Sequence, residues 1–152
     1  MIGRVKLSDG REMMLRSTAA TDIRYKQVFG VDCFEALCKV AAVLSECGDL
    51  AESIKAGKEP SAETTDKLLK LGQSGCLQVI QQIAYILNAS ANKRDMGMLN
   101  VVDYVNWLED IEPFDLLVAS TDIFSVYFGG KATESTIAEA AKKNNLSQMI
   151  GQ

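Results

Sequence analysis

The four cysteines are the residues of this chain best suited to chemistry, because a thiolate can act as a nucleophile or bind zinc. Their spacing matches neither a CxxC pair nor a zinc ribbon; they are Cys33, Cys38, Cys47 and Cys76. The chain contains no histidine, which removes the usual general base and the commonest zinc ligand. We therefore expect reduced thiols that pack as small hydrophobic residues, with metal binding as the weaker alternative, and no cofactor.

An acidic stretch after the single tryptophan is the second candidate, because carboxylates bind cations and can act as general acids or bases. It contains Glu109, Asp110, Glu112 and Asp115. Neighbouring positions on a helix point in different directions, and no calcium-loop pattern is present. The glycines of FGGK, residues 128–131, lack the spacing of a phosphate-binding loop and are better interpreted as a helix C-cap. An enzyme that uses carboxylates alone stays an alternative, but no pair stands out, so the sequence predicts a non-enzymatic protein.

The charged residues are unevenly distributed along the chain. Residues 1–30 carry six basic and three acidic side chains, whereas residues 91–130 carry two basic and seven acidic ones. An acidic, apolar surface repels the phosphates of nucleic acids and suits a basic amphipathic partner. The alternative is that these carboxylates only solvate the outer faces of helices. We expect a protein partner and no nucleic acid.

Two features indicate that the chain stays in the cytoplasm. The apolar run IFSVYF, residues 123–128, is far shorter than the roughly 20 residues with which a helix crosses a bilayer. The N-terminus, MIGRVKLSDGR, carries charges where the apolar region of a signal peptide would lie. We therefore expect no membrane contact.

The elements that position these residues follow from the apolar pattern. Residues 1–16 alternate in character around a Ser-Asp-Gly turn and predict a β-hairpin, which must lean on helices or on a second copy in a homo-oligomer. About five helices follow; the one over residues 61–91 is the longest and central, bent at its glycines. We predict a mainly α (α+β) fold, with one compact helical domain at 1–130 that includes the hairpin and a flexible tail at 131–152.

Helical spacing also predicts which side chains face the core. Among the expected inward residues outside the central helix are Ile23, Phe34, Val101, Val102, Val105 and Phe114.

Five aromatic side chains near the C-terminal end exceed what one inward stripe on each of two short helices can hold. They are Tyr104, Trp107, Phe124, Tyr127 and Phe128. Either the long helix and the hairpin cover them, or they form an exposed patch for a partner, since Trp and Tyr are typical of binding hot spots. These five are the candidate partner-binding residues.

The order of features resembles the tail assembly chaperones of long-tailed bacteriophages. An N-terminal hairpin is followed by IRYKQVFGVDCFEAL at 23–37, by QQIAYILNASAN in the long helix at 81–92, by DYVNWLEDI at 103–111 and by a closing helix. The similarity covers roughly residues 17–130. Its most telling pieces are RYKQVFGVD and the WLEDI that follows the AYILNASA helix.

The resemblance implies a non-enzymatic protein of the host cell cytoplasm that is absent from the mature virion. Such proteins bind the tape measure protein and keep it soluble while the major tail protein polymerises around it. In many of these phages, ribosomal slippage appends a second domain that recruits the major tail protein, and residues 131–152 would then become a tether. The alternative is a small phage or mobile-element protein that acts as a regulator or adaptor through protein–protein interaction.

Overall fold

The computed structural model describes residues 1–46, 56–57 and 62–129 of the chain. Two strands come first, β1 (Ile2–Lys6) and β2 (Glu12–Arg16). The helices that follow are α1 (Thr21–Phe29), α2 (Cys33–Glu46), α3 (Ala62–Ser74), α4 (Cys76–Ala91), α5 (Val101–Glu109), α6 (Asp115–Val118) and α7 (Ser120–Tyr127), with a short 3-10 turn at Met96–Met98. The predicted mainly α fold with an N-terminal hairpin is confirmed. Cys47 and the predicted tail at 131–152 lie outside the described residues.

The hairpin forms where the sequence predicts it, because Gly10 adopts a φ of 91° in the turn. Its strands pair antiparallel, with Ile2 opposite Arg16 and Lys6 opposite Glu12. The hairpin buries four apolar side chains, Val5, Leu7, Met13 and Leu15. It packs against α4 and α7. Helices of the same chain therefore cover the hairpin.

The first strand and the helix α7 meet at Gly3. A Cβ atom on Gly3 would lie 2.3 Å from Cγ2 of Val126, so the two elements approach this closely only because position 3 has no side chain. Nearby, the Ser17 hydroxyl donates a hydrogen bond of 3.2 Å to the backbone carbonyl of Tyr127. The beginning and the end of the described fold are thus in direct contact.

Helix α4 is central, as predicted. It packs against β2 and against all six of the other helices named above. Its buried residues are Cys76, Ile80, Ile83, Ala84, Tyr85, Ile86, Leu87, Ala89 and Ser90. Five consecutive buried positions, 83–87, point in every direction around a helix, so α4 is enclosed by its neighbours rather than lying on the surface.

The apolar pattern over residues 61–91 forms two helices rather than one bent helix. Gly75, which lies between α3 and α4, has a φ of 72°, a left-handed conformation that glycine adopts without steric cost. The pattern predicted for a single last helix also divides, into α6 and α7 on either side of Ala119. The predicted helices are present, but two of them are interrupted.

The cysteines that the structure describes are buried, as predicted: Cys33, Cys38 and Cys76. Burial raises the pKa of the Cys33 thiol to about 12, because a low-dielectric environment disfavours the thiolate. This thiol is therefore protonated at neutral pH and packs as a small hydrophobic side chain.

Six residues predicted to face the core are exposed instead: Ile23, Phe34, Val101, Val102, Val105 and Phe114. In α1 the buried positions are Thr21 and Tyr25, so the aromatic ring rather than Ile23 sets which face turns inward. After Phe114, Leu116 and Leu117 fill the core. In α1 and α5, larger aromatic side chains on the same helix, Tyr25 and Tyr104, occupy the interior instead.

Candidate protein-binding surface

The five candidate aromatic residues do not form one exposed patch. Tyr104 and Phe124 are buried in the core, in agreement with the interpretation that the rest of the fold covers them. Trp107, Tyr127 and Phe128 are partly buried and pack against the core. The rest of the fold therefore covers most of these aromatic side chains, as in the first of the two interpretations given above.

Ring contacts divide these residues into two groups. Tyr104 and Trp107 both lie edge-on to Tyr85 of α4, with ring centroids 5.4 and 5.5 Å away. Tyr127 and Phe128 contact each other at the end of α7, with ring centroids 4.9 Å apart. The first group fastens α5 to the central helix, and the second closes the C-terminal end of the described fold.

Trp107 has a specific polar anchor as well as ring contacts. Its indole Nε1 donates a hydrogen bond of 3.1 Å to Oδ1 of Asn88, and the Asn88 side-chain amide donates one of 2.8 Å to the carbonyl of Met14. The side chain of Trp107 is thereby linked through α4 to strand β2. These contacts hold the Trp107 side chain within the fold.

Tyr127 is anchored too. Its hydroxyl donates a hydrogen bond of 2.8 Å to a carboxylate oxygen of Asp22 in α1. Burial raises the pKa of this phenol, so the hydroxyl stays protonated and continues to donate. Tyr127 therefore joins α7 to α1.

Asp103 is the centre of a polar cluster at the start of α5. It accepts hydrogen bonds of 2.7 and 3.0 Å from the guanidinium of Arg94 and one from the hydroxyl of Tyr85. The hydrogen bonds from Arg94 are the main reason that the pKa of Asp103 lies below its ordinary value. The cluster fixes the loop before α5 to the core.

We expect Asp103→Asn to lower the free energy of unfolding by about 1–2 kcal/mol at pH 7, because charge-assisted hydrogen bonds are lost at a partly exposed site. The folded pKa of Asp103 is lowered, so the stabilisation is complete above the unfolded pKa of about 3.9 and is lost as pH falls through the folded pKa. Urea unfolding at pH 7, 5 and 3 measures the difference, which should shrink at the lowest pH.

The matched control is Glu109→Gln on the same helix, because the Glu109 side chain is exposed and should change stability little. A difference between wild type and Asp103→Asn that is the same at pH 7 and pH 3 would contradict the assigned role of the carboxylate.

Helix α5 presents an apolar surface to solvent on the side opposite Trp107. Val101, Val102 and Val105 are 53%, 71% and 46% exposed. Positions i, i+1 and i+4 lie on one side of a helix, so the three side chains adjoin one another and form what we call the valine face. Valine is among the residues most often buried, and exposed apolar residues that cluster are typical of interaction sites.

The valine face lies in acidic surroundings. Between residues 95 and 129 the chain has seven acidic residues and neither lysine nor arginine. Glu109 follows Val105 by one helical turn on the same side of α5, and it is exposed. Asp110 and Glu112 come directly after it and are exposed as well. The surface therefore combines apolar contact area with negative charge.

A cavity of about 210 Å³ lies between the hairpin and the segment from Trp107 to Ile111. Leu7 and Met13 of the hairpin line it as well, and the Arg11 guanidinium donates a hydrogen bond across to the carbonyl of Asp110. Small-molecule sites usually measure about 300–1,000 Å³. The cavity is smaller than that range, and four of its eight lining residues are polar or charged, so it does not indicate a small-molecule site.

No family model, curated protein or solved structure matches this chain. The site must therefore be judged from its own chemistry.

Two further findings concern that chemistry. Over the part of the chain that the structure describes, no cluster of three or more His, Cys, Asp or Glu side chains is arranged to hold a metal ion. Within the same residues, no helix has both the length and the apolar character to span a membrane.

The valine face was missed by sequence reasoning, which placed the three valines in the core. The signal that could have found it was present, because α5 has two apolar faces and only one can be buried. Tyr104 and Trp107 bring larger apolar side chains than the valines do, so burying their side of the helix is the more favourable choice.

Proposed function

We propose that this protein is a tail assembly chaperone of a long-tailed bacteriophage, which binds the tape measure protein and keeps it soluble while the major tail protein polymerises around it. The observation that carries the proposal is the exposed valine face on α5. It lies in and directly before DYVNWLEDI, one of the segments on which the resemblance rests. An exposed apolar helix face is what a protein needs to hold a helical client through recurring apolar anchors.

The rest of the proposal follows from the resemblance. The protein acts in the host cell cytoplasm, has no catalytic role and is absent from the mature virion. A longer product of ribosomal slippage recruits the major tail protein, with residues 131–152 as the tether. Lys142-Lys143-Asn144-Asn145 can be encoded by a run of adenines, at which tRNAs can re-pair one base back.

Co-expression with the tape measure protein encoded near its gene tests the proposal. We expect the tape measure protein to move from the insoluble to the soluble fraction and to co-purify with this protein. An unrelated aggregation-prone helical protein, expressed in the same way, is the control and should stay insoluble.

A tape measure protein that stays insoluble and unbound at every expression ratio would overturn the chaperone function. Binding without any gain in solubility would also overturn it, and would favour the adaptor alternative.

A further inference from the structure

The valine face has a chemistry that identifies the kind of partner it takes. We propose that it is the docking site for an amphipathic helix that carries an apolar stripe flanked by lysine or arginine. This inference deepens the proposed function, and rests on it for the identity of the client, because it specifies which client segments the chaperone holds.

The valines of α5 have the spacing with which one helix packs against another. Val101 and Val105 are separated by one turn, so they form a ridge of the i, i+4 kind that packs into the groove of a second helix. Val102 lies beside this ridge and is the most exposed of the three. Met98, exposed just before α5, extends the apolar surface toward the N-terminus of the helix. Valine is short and β-branched, so the backbone of a partner helix can approach closely. The longer side chains of that partner helix can then fill the space between the two helices.

The length of α5 limits how many side chains of a partner helix it can contact. Helix α5 contains 9 residues, which corresponds to about 13 Å or two and a half turns. A partner helix can therefore place two or three apolar anchors on it, at spacings of three and four residues. A long client with a repeating apolar stripe offers many such segments.

The charges around α5 favour a partner helix with basic flanks. Exposed carboxylates occur on both sides of α5 along the chain, with Asp95 before it and Glu109, Asp110 and Glu112 at and after its end. Arg94, the nearest cation before the helix, is already paired with Asp103. A partner helix with acidic flanks would meet repulsion, whereas one with basic flanks gains attraction that is screened by salt.

The test uses the full-length protein and two synthetic helical peptides that share one leucine stripe and differ only in their flanking charges, lysine in one and glutamate in the other. Fluorescence anisotropy at low and at 0.5 M salt should give binding of the lysine peptide only, weakened by salt. Val102→Ser combined with Val105→Ser should weaken this binding at least about tenfold, as expected for loss of the central apolar contacts.

The matched control is Ile23→Ser, because Ile23 is 64% exposed on α1 and lies outside the valine face. Circular dichroism checks that each variant is folded. Equal binding of both peptides, no binding of the lysine peptide, or the same loss in Ile23→Ser would each overturn the inference. A wild-type dimer that the valine substitutions convert to monomer would also overturn it, because a second copy would then occupy the face.

The two proposals fail in different ways. Loss of peptide binding, with the tape measure protein still kept soluble, would reject the valine face while leaving the chaperone function intact. Binding of the lysine peptide, with no effect on the tape measure protein, would reject the client but keep the docking site.

Discussion

Trp107→Ala is expected to lower the free energy of unfolding by about 3 kcal/mol or more. The indole packs edge-on to Tyr85 and donates a hydrogen bond to Asn88, so its removal leaves both a cavity and an amide acceptor without its donor. The chain has one tryptophan. Unfolding by urea must therefore be followed by circular dichroism, because the variant has no tryptophan fluorescence.

Two further variants show which contacts of the indole account for the loss of stability. Trp107→Phe keeps an aromatic ring but loses the N–H donor, and should cost about 1–2 kcal/mol. Val105→Ala on the exposed side of α5 should cost less than about 1 kcal/mol. A Trp107→Ala protein as stable as Val105→Ala would show that the contacts of the indole do not stabilise the fold. Because Trp107→Ala is expected to lower the stability of the fold, weaker binding of the tape measure protein by this variant would be explained by unfolding. It would not show that Trp107 contacts the client.

Leu15→Ala is the second change with a large expected effect, a loss of about 2–5 kcal/mol in the free energy of unfolding. Leu15 is 0% exposed on β2, the strand that packs against α4. Truncating it opens a cavity between the sheet and the central helix, which a strand fixed by its pairing with β1 cannot close. Urea unfolding, followed by tryptophan fluorescence and by circular dichroism, measures the loss.

The hairpin provides its own control for this substitution. Ile2 is 62% exposed at the start of β1, so Ile2→Ala removes a similar aliphatic side chain from the surface. It should change stability by about 0.5 kcal/mol or less. Equal losses for Leu15→Ala and Ile2→Ala would mean that the hairpin does not contribute its buried face to the core.

The parts of the fold that the sequence predicts well are those in which local and tertiary preferences agree. The turn around Gly10 needs a positive φ, and the flanking residues alternate, so the hairpin follows from both signals. Gly30 ends α1 in the left-handed conformation that a C-terminal glycine favours. Asn100 caps α5 by accepting a hydrogen bond of 2.8 Å from the backbone N–H of Asp103, and asparagine is among the residues preferred at this position.

The sequence predicts poorly those parts of the fold in which two local structures, or two sides of one helix, compete. Gly75 fits either a bent helix or a break, and in the structure it adopts the left-handed conformation that separates α3 from α4. Helix α5 carries three valines on one side and Trp107 on the other, and periodicity alone does not say which side is buried. The candidate site depends on which side of α5 is buried. It was therefore found from the structure, although each of its residues was visible in the sequence.

The contact between the first strand and α7 sets the order in which the protein can be completed during translation. The Ser17 hydroxyl cannot form its hydrogen bond until Tyr127, 110 residues further along the chain, has been synthesised. At roughly 5–20 residues per second, a nascent hairpin spends on the order of ten seconds with the Gly3 side of its sheet uncovered. The hairpin leaves the ribosome early, but the domain closes only after α7 has emerged. A chain whose synthesis stops before residue 120 therefore lacks α7, and the Gly3 side of its hairpin stays uncovered.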